Sequence, residues 1–187
     1  MVDVVRRALS LGAVLAVAIA PSRPEAQVRE GGSAHEFTLP GIEGGVIEMK
    51  AFAGKPVLVV NTASFCGFTY QYEALQKLHD RYHARGFTVI GVPSNDFYQE
   101  KRSDAEVKAF CETSFGIDFP MSSITTVTGR NATPLFAWFA KVKGAPRWNF
   151  TKYLVAPDGS LAGRWGSTTD PDDKAIVGAI ERFLPAA

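Results

Sequence analysis

Residues 57–69, Val57-Leu58-Val59-Val60-Asn61-Thr62-Ala63-Ser64-Phe65-Cys66-Gly67-Phe68-Thr69, decide the fold. The run 57–60 is apolar without interruption and mostly β-branched, the pattern of a strand covered on both faces. The period then changes. Tyr72, Leu75, Leu78 and Tyr82 recur at helical spacing within residues 69–85, and Gly86 supplies a stop. Residues 87–92 form a second apolar strand. A strand, helix, strand succession of this length implies a right-handed crossover between parallel neighbours.

Upstream, residues 37–39 and 46–49 flank the turn-rich stretch 41–45 and read as a hairpin. Downstream, Ser103-Asp104-Ala105-Glu106 is a capping box opening a helix that carries Val107, Phe110 and Cys111 on one face. A further helix is expected over 133–143. Strands over 150–156 and 161–165 are joined by Pro157-Asp158-Gly159-Ser160, a tight-turn signal that makes them antiparallel. Asp170 as cap with Pro171 behind it begins a last helix, with Ile176, Ile180, Phe183 and Leu184 toward the core. Two parallel strands followed by an antiparallel pair, with helices on both faces and an N-terminal β-hairpin, give an α/β mixed sheet of the thioredoxin-like plan.

A chain of 187 residues that is 46% hydrophobic has room for one such domain and enough apolar surface for its core. The formal net charge is +1, which gives no sustained field for nucleic acid or an anionic membrane. Arg6 and Arg7, the apolar run 8–20 and the small, Pro-rich stretch 21–27 have the three parts of a secretory signal. The run is shorter than the roughly 20 residues of a membrane span. The division expected is a signal over 1–26 and a domain over 27–187, with export to a bacterial periplasm. The alternative is a membrane tether through an uncleaved N-terminal segment.

Two cysteines occur, Cys66 and Cys111. In an exported protein a structural disulfide is the default reading of such a pair. Cys66, however, lies between the first core strand and its helix, where helix-start N–H groups favour a thiolate and where α/β sheets collect their ligands. An inert buried thiol is the competing reading. A Cys-x-x-Cys pair is absent because Thr69 occupies the second place. Ala63 stands where typical peroxiredoxins carry threonine. His79 and His83 share a helix face, but without a ligating carboxylate pattern they read as a solvated face; no metal and no cofactor are expected.

Three blocks, NTASFCGFT at 61–69, GVPSNDFYQE at 91–100 and WNFTKYLV at 148–155, resemble the glutathione peroxidase family. The likeness runs over about residues 34–184. It implies that Cys66 is the peroxidatic residue, that Gln99, Trp148 and Asn149 complete a catalytic tetrad, and that Cys111 is the resolving cysteine of a two-cysteine, non-selenium type. The implied partners are a peroxide and a thioredoxin-like protein or glutathione as reductant, acting on a monomer. All four tetrad positions fall at one edge of the expected sheet, where uncharged N–H donors can stabilise a thiolate and a bound peroxide oxygen. The Gln99 loop is one residue shorter than the family form, and Glu100-Lys101-Arg102 replaces its Glu-Pro-Gly, which leaves the position of Gln99 open. A competing function is a peroxide sensor that passes oxidation from Cys66 to a partner protein.

Overall fold

Strand β3 (Val57–Thr62) is buried throughout because its alternate side chains enter two separate cores. The computed structural model describes residues 32–185; the expected signal segment over 1–26 lies outside them. Leu58 and Val60 pack with Tyr72, Leu75, Ile176 and Ile180 on one face. Val57 and Val59 pack with Leu39, Leu135, Phe136 and Phe139 on the other. Burial on both faces accounts for the unbroken apolar run.

The four-stranded sheet has the order β4-β3-β5-β6, with β4 at Thr88–Pro93, β5 at Lys152–Val155 and β6 at Leu161–Trp165. β3 pairs parallel with β4 and antiparallel with β5, and β5 pairs antiparallel with β6. The hairpin β1 (Thr38–Pro40) and β2 (Val46–Glu48) forms its own two-stranded sheet. Helices α1 (Gln71–His83), α2 (Asp104–Phe115) and α4 (Lys174–Glu181) bury side chains in the first core, and α3 (Pro134–Lys143) in the second. The thioredoxin-like plan is thus as the sequence implies.

Two local expectations are corrected. The last helix is capped by Asp173, whose Oδ1 accepts from Ala175 N at 2.7 Å, and starts later than Asp170. Asp170 is occupied elsewhere: its Oδ1 accepts from the Tyr70 hydroxyl at 2.9 Å and from Gln71 Nε2 at 3.1 Å. His79 does not lie on a solvated face. It is 6% exposed, takes an N–H bond from Val89 on Nδ1 at 3.3 Å and meets the Phe119 ring at its edge, while His83 is exposed. Burial, with His83 alongside, pushes the His79 imidazolium below its usual range. Among the described residues no helix is long and apolar enough to cross a membrane.

Candidate active site

Cys66 sits in a run of turns between β3 and α1. Thr69, the residue in place of a second cysteine, closes this loop. Its hydroxyl accepts from Cys66 N at 3.1 Å and donates to Ala63 O at 2.9 Å, while Thr69 N donates to Cys66 O at 3.0 Å. The sulfur accepts from Phe68 N at 3.4 Å. This donor belongs to the turn, since α1 itself begins at Gln71. Cys66 is 7% exposed and is therefore more covered than the sequence suggests, but it lies between exposed Phe65 and Gly67. A side chain built at Gly67 would meet nothing within 4 Å, so the sulfur's neighbour faces open space.

Gln99 reaches this loop in spite of the missing residue. Its carbonyl accepts from Phe65 N at 2.9 Å, and its Oε1 accepts from Asn149 Nδ2 at 2.9 Å. Tyr98, the one residue between Phe97 and Gln99, takes φ 59°, a left-handed conformation costly for a side chain with a Cβ. Tyr98 is 91% exposed, so its ring packs against little. Tyr98→Gly is therefore expected to stabilise the fold by about 0.5 kcal/mol, the relief of backbone strain exceeding glycine's entropic cost. The urea midpoint of the variant checks this; an unchanged or lower midpoint contradicts it.

Trp148 and Asn149 precede β5 at the same edge. Trp148 is 41% exposed, and its ring centroid lies 5.3 Å from that of Phe97, on the Gln99 loop. Asn149 is fully buried, and its Oδ1 has no hydrogen-bond partner. Gln99 and Asn149 are thus directly joined, Trp148 leans on the Gln99 loop, and all three connect to Cys66 through the Phe65 backbone. Among the described residues none of the three donates to the sulfur itself.

Sequence reading missed the residues that hold this arrangement. Asn61, buried on β3, donates Nδ2 to Trp148 O at 3.1 Å and accepts on Oδ1 from Thr151 N at 3.1 Å. Its carbonyl takes Phe150 N at 2.6 Å. These bonds fix Phe150 at φ 61°, which a bulky residue adopts only where its surroundings over-determine it. Lys152, fully buried, donates to Gln71 Oε1 and to the carbonyl of Thr169. Ser167 in the same loop donates its hydroxyl to Asn149 O at 2.6 Å. An asparagine and a lysine inside otherwise apolar strands were the available signals, because a buried polar group has to be bonded.

Glu100 is the third such residue. Its Oε1 accepts from Ser64 N at 3.0 Å and from Lys101 N at 2.8 Å, which staples the Cys66 loop to the segment before α2. Burial pushes its carboxyl above the usual range, the Ser64 and Lys101 contacts opposing.

Cys111 is fully buried on α2 and is a free thiol, as is Cys66. Burial pushes it up to about 11, with the Tyr72 hydroxyl opposing. That hydroxyl lies near Cys111 but short of a full hydrogen bond, and it is left without a partner. In this packed state Cys111 is poorly suited to act as a nucleophile, since the thiolate is the reactive form.

The thioredoxin-like sheet that carries these loops is shared with known proteins. The glutathione peroxidase family model matches residues 34–140. The hydroperoxy fatty acid reductase gpx1 of Synechocystis is 42% identical over 160 residues, covering 79% of this chain and 94% of that protein. The glutathione peroxidase-like peroxiredoxin HYR1 of Saccharomyces cerevisiae is 42% identical over 138 residues, covering 70% of this chain and 83% of that one. The crystal structure of Trgpx in its apo form superimposes with a TM-score of 0.64 at 34% identity, covering 81% and 97% of the two chains. The chain belongs to the glutathione peroxidase family, peroxidase-type oxidoreductases built on a thioredoxin-like fold.

Proposed function

We propose that the protein is a two-cysteine thiol peroxidase in which Cys66 attacks hydrogen peroxide or an organic hydroperoxide. The observation that carries this is the bonded chain Asn149–Gln99–Phe65, in which the Asn149 amide donates to the Gln99 side chain and the Gln99 carbonyl accepts from the backbone N–H of the residue preceding Cys66. The Cys66 thiolate takes the distal peroxide oxygen: an S–O bond forms, the O–O bond breaks, and the hydroxide or alkoxide leaves as water or alcohol after gaining a proton. Gln99, Trp148 and Asn149 supply uncharged donors toward the developing negative charge.

Cys111 then attacks the sulfenic sulfur, forming the disulfide and expelling water. For this, α2 has to unwind locally, an ordinary low-stability event. Release also returns the Cys111 thiol from about 11 toward its ordinary range, so that opening both delivers and activates it. A thioredoxin-like dithiol, or glutathione, reduces the disulfide by exchange. The name of the Synechocystis relative supports an organic hydroperoxide as substrate, and that of the yeast relative supports peroxidase chemistry. Arg6, Arg7 and the apolar run after them support export, which cell fractionation and N-terminal sequencing of the mature chain test.

Cys111→Ser is the test of the cycle. Steady-state turnover with a thioredoxin system is expected to fall about tenfold while the first oxidation of Cys66 keeps its rate. Equal steady-state rates would make Cys111 a core residue only. Hydrogen peroxide and a fatty-acid hydroperoxide, each paired with thioredoxin or glutathione, define the substrate and the reductant.

A further inference from the structure

Lys101 stands between the two segments that must part if Cys111 is to reach Cys66. Its ammonium lies 4.6 Å from the centroid of the Phe65 ring and 4.9 Å from that of Phe110. Phe65 immediately precedes Cys66, and Phe110 immediately precedes Cys111. One cation therefore ties the Cys66 loop to the turn of α2 that carries Cys111. The carboxylate of Glu100, which accepts from both Ser64 N and Lys101 N, holds the Cys66 loop to the segment that carries Lys101. Unwinding α2 around Cys111 and turning the Cys66 loop outward each pull a ring off the same ammonium.

We infer that Lys101 is a positioning residue, a latch whose release sets how fast the Cys66–Cys111 disulfide forms and hence how readily Cys66 is over-oxidised. This rests on the two-cysteine cycle proposed above. After the first oxidation the Cys66 sulfur bears one oxygen and has two fates. In the first, the Cys111 sulfur attacks it, the S–S bond forms, the S–O bond breaks, and the hydroxide leaves as water with the thiol's proton. In the second, the sulfenate attacks another peroxide, that O–O bond breaks, and sulfinic acid and water or an alcohol result. The first fate waits for the latch; the second scales with peroxide concentration. Two cation–aromatic contacts favour the closed arrangement, so their loss speeds opening on the order of tenfold. The charge of Lys101 also favours the Cys111 thiolate, but this is the weakest influence on that thiol and acts only before opening, so the gain in opening prevails.

The full-length chain and its Lys101→Gln, Lys101→Arg and Phe65→Leu variants are reduced, pulsed with hydrogen peroxide, quenched with an alkylating reagent and read by intact mass. Lys101→Gln should form the disulfide on the order of tenfold faster and need a correspondingly higher peroxide concentration for half conversion to sulfinate. Phe65→Leu, at a residue 63% exposed, should show the same direction at about threefold and serves if Lys101→Gln folds poorly. Lys101→Arg should match the parent, because guanidinium keeps the cation between the rings. The rate of the first oxidation should be common to the parent and the two Lys101 variants. Equal or slower disulfide formation in Lys101→Gln and Phe65→Leu overturns the latch while leaving the two-cysteine cycle standing. Absence of any Cys66–Cys111 disulfide in the parent removes the cycle, and the latch with it.

Discussion

Cys66→Ser is expected to lower peroxide consumption at least about a thousandfold, because the reaction needs an ionised, polarisable nucleophile and a serine hydroxyl at neutral pH is neither. The substitution is mild for the fold. Cys66 makes one hydrogen bond through its sulfur, from Phe68 N, and a hydroxyl can accept the same bond. The loop is otherwise held by Thr69, by the Phe65–Gln99 backbone bond and by Glu100 on Ser64 N, none of which involves the sulfur. Loss of activity with an unchanged urea midpoint therefore reports chemistry. Peroxide consumption continuing at the parent rate in Cys66→Ser would exclude the proposed role, whatever the fate of Cys111. A sensor is separated from an enzyme by the same protein pair: a sensor loses mixed disulfides with its partner in Cys66→Ser, yet its parent shows no sustained turnover with any dithiol.

The legible parts of this molecule are those whose causes are local. The run 57–60 announced a strand buried on both faces because each of its side chains had to be apolar, and the two cores on either side of β3 are the reason. The hairpin, the Ser103 cap and the turn at Asp158-Gly159 are likewise settled within a few residues. The errors share one cause, which is competition from distant partners. Asp170 has the form of a cap, but Tyr70 and Gln71 claim its carboxylate, and Asp173 takes the capping place. His79 has the sequence context of a surface residue, but Phe119 and the Val89 N–H cover it. The same holds at the site. Cys66 and the blocks around Gln99 and Trp148-Asn149 could be named from the sequence. Asn61, Glu100 and Lys152 could not, since what each supports lies in a loop far along the chain. The short Gln99 loop left its geometry open in sequence, and it passes through a left-handed Tyr98.

Lys152 gives the largest expected effect on stability. Its ammonium is buried within reach of the oxygens of Gln71, Gly166, Ser167 and Thr169, and burial pushes its pKa down to about 7 against the pull of Asp170. In the unfolded chain a lysine holds its proton to about 10.4. Between these values the unfolded state carries a proton that the folded state has shed, so stability rises with pH, and it is lost as pH falls toward 7. From pH 7 to 8.5 the rise should be about 1.5 to 2 kcal/mol. Above that window Cys111 and Tyr72, both raised by burial, act in the opposite sense, because the unfolded chain gives up their protons first. The curve should therefore pass through a maximum. Urea unfolding across this range measures it, and Lys152→Met should remove the rise while keeping most of the side-chain volume. The oxygens around the ammonium work against deprotonation, and the slope reads which influence prevails. A parent curve flat between pH 7 and 8.5 would mean that those oxygens hold the proton against burial; the cage beside Ser167 and Asn149 would then be a fixed ion site instead of a pH-dependent support for the loop that carries Asn149.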